Sequence, residues 1–208
     1  MKLSRIMLVA VVIGGFCGVA LADDTFAPEW RGQPGSTMQK WEFGSYAQVN
    51  IPPEGYFNPY GTPLATVSGE FPRAFWWRFD NGHVGVWQFE DYMQFNVPNT
   101  LNQDPNSFKW IWIQITYSAG PLDDPLALTV PMPSSGVFTM EKTAIDAYYW
   151  HETYLLAITP NPLSEQIYIM PRSVYLQVDE VVIDTICIPE PATFGLFGLG
   201  ALLYLRRR

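Results

Sequence analysis

The chain has few of the residues on which metal sites and disulfide-bonded folds depend. Its 208 residues include only two cysteines, Cys17 and Cys187, and only two histidines, His83 and His151. A zinc site normally takes three or four histidine, cysteine or carboxylate ligands, so two distant histidines give little support for a zinc enzyme. The sequence also lacks a Gly-x-Ser-x-Gly motif and a glycine-rich phosphate loop, the usual local signatures of serine hydrolases and nucleotide-binding enzymes.

The N-terminus has the composition of a secretory signal peptide. It carries basic residues, an apolar run and a small-x-small pattern, which are Lys2 and Arg5, residues 6–18, and Ala20 with Ala22. This order predicts a short hydrophobic helix within residues 1–22 that signal peptidase removes before Asp23.

The C-terminus carries three adjoining parts in about twenty residues. They are the motif Pro189, Glu190 and Pro191, an uncharged segment over residues 192–205, and the basic cluster Arg206, Arg207 and Arg208. The uncharged segment has fourteen residues, fewer than the roughly 20 that a helix needs to cross the hydrocarbon core. Terminal arginines favour the cytoplasmic side of a membrane. We therefore expect a short hydrophobic helix whose association with the membrane is transient.

These three parts resemble the PEP-CTERM sorting domain of Gram-negative bacteria that make exopolysaccharide. The resemblance covers residues 188–208, about a tenth of the chain. It implies recognition and cleavage by an exosortase. It also implies export to the cell envelope, cell surface or extracellular matrix of a Gram-negative-type bacterium. The alternative is an ordinary C-terminal anchor with a chance Pro-Glu-Pro before it.

Residues 23–187 remain between the two ends, enough for one domain with a substantial core. This part has seven basic and nineteen acidic residues, a net charge of about −12. Nucleic acid and anionic lipid are bound through clustered Lys and Arg, so this charge argues against both partners. Cys187 is the one cysteine left in it, which excludes an internal disulfide and leaves either pairing between chains or an inert thiol.

Short aromatic and β-branched runs, broken by Pro, Gly, Asn and Asp, predict an all-β domain. The runs predict strands near 40–43, 65–67, 74–79, 84–89, 92–97, 108–117, 126–130, 136–142, 148–158, 166–170 and 174–186. Helical periodicity does not persist anywhere in the domain, and Asp80-Asn81-Gly82 is a hairpin signal. About eleven strands without crossover helices favour an antiparallel two-sheet β-sandwich, most simply a jelly roll.

Alternation along residues 109–115 separates an isoleucine face from a tryptophan face. The isoleucine face is the natural core face, which leaves Trp110 and Trp112 together on the other side. Trp76 and Trp77 are adjacent, so they point to opposite faces of their strand. Exposed indole rings are suited to stacking against sugar rings, and these four tryptophans are therefore candidate glycan-stacking residues. The alternative for Trp110 and Trp112 is a position beneath a loop or in the core, and of Trp76 and Trp77 one is expected to be accessible or covered by a loop.

The opening residues 41–45 and the closing residues 178–183 resemble the first and last strands of jelly-roll carbohydrate-binding modules. That resemblance implies a structural calcium ion with Glu42 and Asp179 as candidate ligands, since Ca²⁺ prefers carboxylate oxygens. Solvated carboxylates on an outward face are the alternative. No other cofactor is expected.

A glycoside hydrolase needs two carboxylates about 5–10 Å apart. Glu180 and Asp184 share one face of a strand, but four residues separate their backbones by about 13 Å. The sequence therefore favours an exported, non-catalytic module that binds exopolysaccharide or belongs to a biofilm. A structural surface protein with protein partners only is the first alternative, and a glycoside hydrolase is the second.

Overall fold

The computed structural model describes residues 24–100, 108–119, 126–129, 134–172 and 174–188. The predicted signal peptide, its cleavage site, the sorting motif, the basic cluster and both terminal helices lie outside these residues. In the described part of the chain, no helix has the length and apolar composition that a membrane crossing requires.

The described residues form twelve strands. Their bounds are β1 Ser36–Trp41, β2 Gly55–Phe57, β3 Leu64–Val67, β4 Ala74–Asp80, β5 His83–Phe89, β6 Met93–Pro98, β7 Phe108–Ala119, β8 Leu126–Thr129, β9 Ser134–Ala144, β10 Tyr149–Ile158, β11 Ser164–Pro171 and β12 Leu176–Ile188. The sequence predicted eleven of them near these positions and missed β2, a three-residue strand after two prolines.

The strands pair antiparallel in two sheets, which confirms the predicted all-β, two-sheet architecture. The larger sheet runs β2-β1-β12-β7-β10-β9, with the β4–β5 hairpin joined to the start of β12, and the smaller sheet runs β3-β6-β11-β8. The jelly roll is not confirmed. A jelly roll divides eight strands between two sheets, whereas the larger sheet alone has eight strands here.

The core lies between the sheets, and the predicted isoleucine face of β7 lines it. Ile111, Ile113 and Ile115 are fully buried. They meet buried residues of the smaller sheet such as Phe95 and Ile167 in one hydrophobic cluster. Alternation then places Trp110 and Trp112 on the outer side of the larger sheet. That outer side carries the features described next.

Candidate functional site

An exposed row of aromatic side chains follows the outer side of β4. It consists of Phe71, just before the strand, and Phe75, Trp77 and Phe79 within it, and is called the β4 row below. Phe71 is 76%, Trp77 40% and Phe79 65% exposed. The ring centroids of Phe71 and Phe75 are 5.7 Å apart, and those of Phe75 and Trp77 4.7 Å. Phe71, Phe75 and Trp77 thus form a series of neighbouring rings, and Phe79 continues the row on the same face of β4.

The β4 row begins at a shallow, open pocket with both polar and apolar walls. The pocket has a volume of about 370 Å³ and is lined by Gly69, Glu70, Phe71, Pro72, Arg73 and Asp91. Two carboxylates and a guanidinium therefore lie beside the first ring of the row. Apolar rings with a few convergent polar groups are the usual composition of a small-molecule site.

The hairpin that carries the row is held against β1 by close backbone contacts. The indole nitrogen of Trp76 donates a hydrogen bond of 2.9 Å to the carbonyl oxygen of Phe43. Gly85 of β5 has φ +85°, and a Cβ at this position would lie 2.4 Å from the same oxygen. Only glycine tolerates both the left-handed backbone and this approach. These contacts fix the outward face of β4.

A buried polar cluster holds the tip of the hairpin. His83 Nδ1 lies 2.7 Å from an Asp179 carboxylate oxygen, and its Nε2 lies 3.2 Å from Asp146. The ring stacks on Tyr149 with centroids 3.7 Å apart, and the Tyr149 hydroxyl donates to Asp80 at 2.8 Å. Burial alone would lower the pKa of His83, but the hydrogen bond with Asp179 and the Asp146 contact raise it above its ordinary value.

The predicted stacking residues Trp110 and Trp112 are covered by a segment at the start of the domain. Residues 24–35, called the strap below, cross the outer side of the larger sheet. Trp30 of the strap lies 5.5 Å from the Trp110 ring and 6.0 Å from the Trp112 ring, the latter edge to face. The Trp112 indole nitrogen donates to the Phe26 carbonyl at 2.8 Å. Both tryptophans are half-buried.

An ion triad fastens the strap to β12. Arg31 donates two hydrogen bonds of 2.6 Å to the carboxylate of Asp184, and it also pairs with Asp24. Asp184 is fully buried, and this burial raises its pKa to about 6 although Arg31 opposes the rise. For Asp24, burial is outweighed by bonds from Arg31 and Gln114, which hold its pKa below the ordinary value. The strap therefore encloses charge as well as aromatic rings.

The calcium candidates Glu42 and Asp179 have other partners. Glu42 pairs with Lys40 at 2.7 Å, while Asp179 contacts His83. Lys40 also lies 3.0 Å from Glu180, a buried carboxylate whose pKa burial raises to about 8. Among the described residues, no group of three or more histidine, cysteine or acidic side chains could hold a metal ion. A lysine and a histidine ring beside these carboxylates do not fit the oxygen donor set that calcium prefers.

Sequence reasoning named Trp77 but missed the three phenylalanines beside it. The signal was available, because Phe75, Trp77 and Phe79 alternate along a strand that ends in a hairpin turn. Extending the alternation that separates Trp76 from Trp77 by two residues in each direction places Phe75 and Phe79 on the same face as Trp77. Trp76 lies on the opposite face of β4, half-buried against the core.

Comparison with known proteins identifies the C-terminal segment. Residues 188–208 match the PEP-CTERM protein-sorting motif. The match confirms the resemblance seen in the sequence and supports an exported, cell-envelope-associated protein that an exosortase sorts. No curated protein and no solved structure is detectably similar to the chain. The surface of the sandwich is therefore the source of information on its role.

Proposed function

We propose that this exported protein is a non-catalytic surface module that binds exopolysaccharide through the β4 row. The observation that carries the proposal is the open row of aromatic rings that begins at a pocket with both polar and apolar walls. Sugar rings present apolar C–H faces to aromatic rings and hydroxyl groups to charged side chains. The β4 row and its pocket offer both kinds of contact within one surface.

The charge of the domain favours neutral over anionic polysaccharides as ligands. With a net charge of about −12 over residues 23–187, the domain repels polyanions at long range. Arg73 and Arg78 are the basic residues at the row, and Arg78 lies over the Phe79 ring, with its guanidinium carbon 5.5 Å from the centroid. A neutral polysaccharide suits this surface better than a sulfated or phosphorylated one.

Affinity electrophoresis of the exported mature protein in gels containing neutral polysaccharides tests the proposal. We expect retardation that is lost in Trp77→Ala and Phe75→Ala, because each substitution removes a ring from the centre of the row. Phe57→Ala is the matched control, since Phe57 is an exposed aromatic residue on β2, which pairs with β1 and not with the β4–β5 hairpin. Retardation that survives both row substitutions, or that Phe57→Ala also abolishes, would contradict the proposed surface.

Two measurements on the same polysaccharides distinguish the two alternatives, a structural surface protein and a glycoside hydrolase. Absence of retardation with every glycan would favour a structural surface protein whose partners are proteins. Glu70 and Asp91 line the pocket beside Phe71, and two carboxylates next to a stacking ring are compatible with a hydrolase. Release of reducing ends from the polysaccharide, abolished in Glu70→Gln or Asp91→Asn, would favour that second alternative.

A further inference from the structure

The last strand of the sandwich ends where the sorting motif begins. β12 continues to Ile188, which pairs with Phe108 of β7. The PEP-CTERM match starts at this same residue, and Pro189 follows it. The folded sheet and the sorting segment therefore adjoin with no spacer of free chain between them.

β12 is paired on both sides as far as Ile186, and Cys187 and Ile188 pair with β7 alone. Ile186 lies opposite Ser36 of β1 and opposite Trp110 of β7. Proteolytic cleavage concentrates at exposed, unpaired chain, because an enzyme needs several residues free to enter its active site. A bond within residues 185–188 becomes available only when the strand detaches locally, which costs free energy.

The interior beneath the strand end makes such detachment costly. Cys187 pairs in register with Lys109, and its sulfur accepts a 3.3 Å hydrogen bond from the side-chain amide of Asn161. Lys109 and Glu165 form an ion pair at 2.5 Å between the two sheets, and both side chains are fully buried. Detachment of the strand end would break the pairing of Cys187 and Ile188 with β7 and the hydrogen bond from Asn161, and buried hydrogen-bonding groups left without partners cost free energy.

We propose that the exosortase cuts on the C-terminal side of Ile188 and that the folded sandwich is the barrier that sets this limit. The mature protein then keeps β12 whole, with its new C-terminus directly after the sheet. The inference rests on the exosortase sorting that residues 188–208 support. It does not depend on glycan binding, which is measured separately.

The intact mass of the mature protein, released from full-length chain in an exosortase-containing host, tests the position of the cut. We expect a mass that includes Ile188 and lacks Arg206 to Arg208. A C-terminus at or before Ile188 would overturn this inference and leave sorting intact. A mass that retains the three arginines would overturn both the inference and the sorting function.

A spacer variant tests whether the fold is the barrier. Gly-Ser-Gly-Ser inserted between Ile188 and Pro189 should make processing several-fold faster in a pulse-chase experiment, because the motif then stands clear of the sheet. The same insertion between Tyr46 and Ala47, which are exposed loop residues, is the control and should leave the rate unchanged. Equal processing rates for the spacer variant and the parent chain would overturn the inference that the folded sandwich is the barrier to cleavage.

Discussion

Two aromatic clusters lie on the outer side of the same sheet and differ in what covers them. Trp110 and Trp112 lie under the strap, in contact with Trp30. The β4 row, which includes Phe75 and Trp77, has no such cover among the described residues and is accessible there. Strand alternation puts both clusters on an outer face, but a segment some eighty residues away in sequence decides which one solvent reaches.

The clusters also differ in charge. Arg31 of the strap forms an ion pair with Asp184, whose side chain is fully buried. Removal of Arg31 would therefore leave a buried carboxylate without its cation. The β4 row has its charged neighbours at the solvent-facing rim. We therefore expect substitutions under the strap to reduce stability, and substitutions in the row to reduce binding while stability changes little.

The largest expected effect is displacement of the β4–β5 hairpin, which carries the β4 row. Gly85→Ala adds a methyl group 2.4 Å from the Phe43 carbonyl oxygen at a backbone φ of +85°. Strain and overlap should together reduce the free energy of unfolding by about 4 kcal/mol, and displacement of the hairpin should abolish glycan binding. Chemical denaturation measures the first effect. Gly82→Ala is the control, because its added Cβ meets nothing within 4 Å, and a loss as large there would refute the contact argument.

Arg31→Ala should loosen the strap that covers Trp110 and Trp112. It leaves buried Asp184 without its bidentate partner, so we expect a loss of about 3 kcal/mol in the free energy of unfolding. Iodide quenching of tryptophan fluorescence should rise as the strap loosens. The double variant Arg31→Ala/Asp184→Asn should recover part of the stability, since the amide carries no charge. If the double variant is no more stable than Arg31→Ala, the Arg31–Asp184 ion pair is not what holds the strap to β12.

Matched ring truncations sharpen the comparison. Trp112→Ala removes a half-buried ring that hydrogen-bonds to the strap, and it should reduce the free energy of unfolding by about 2–3 kcal/mol. Phe79→Ala removes an exposed ring and should change it by less than about 0.5 kcal/mol. Thermal melts of the two variants measure the difference. Equal losses would mean that the row is packed against a surface and is not free for a ligand.

The smallest expected effect is a dependence of stability on pH. The folded pKa of Glu180 is about 8 against an ordinary 4.5, so the folded protein binds this proton more tightly. Stability from this group is therefore complete below about pH 4.5 and is lost as the pH rises towards 8. The raised pKa values of His83 and Asp184 act in the same direction. We expect Tm to be roughly 5 °C higher at pH 5 than at pH 8.

Glu180→Gln provides the check on this assignment. The amide does not titrate, so roughly half of the change in Tm between pH 5 and pH 8 should disappear. Glu54→Gln, which removes an exposed carboxylate of the loop before β2, should leave the change as it is in the parent protein. An unaltered pH profile in Glu180→Gln would mean that another group carries the dependence.

The sequence predicted the parts of this protein that depend on local pattern. The approximate positions of eleven strands follow from aromatic and β-branched runs broken by turn residues. The core face of Ile111, Ile113 and Ile115 follows from a two-residue period, and the sorting segment follows from three adjoining motifs. The cover over Trp112 could not be predicted, because the contact with Phe26 joins residues 86 positions apart. The jelly-roll expectation was not confirmed for a related reason, since alternation identifies strands and faces but leaves their order in the sheet open.

The position of β12 also has a consequence for the order in which the protein can fold during export. It is the last strand of the part of the chain that the structure describes, yet β1, β5 and β7 all pair with it. A chain that leaves the cell N-terminus first therefore cannot close its larger sheet until residue 188 has emerged. Such distant pairing is slow to form, so the domain remains threadable through a narrow translocation channel for nearly its whole passage.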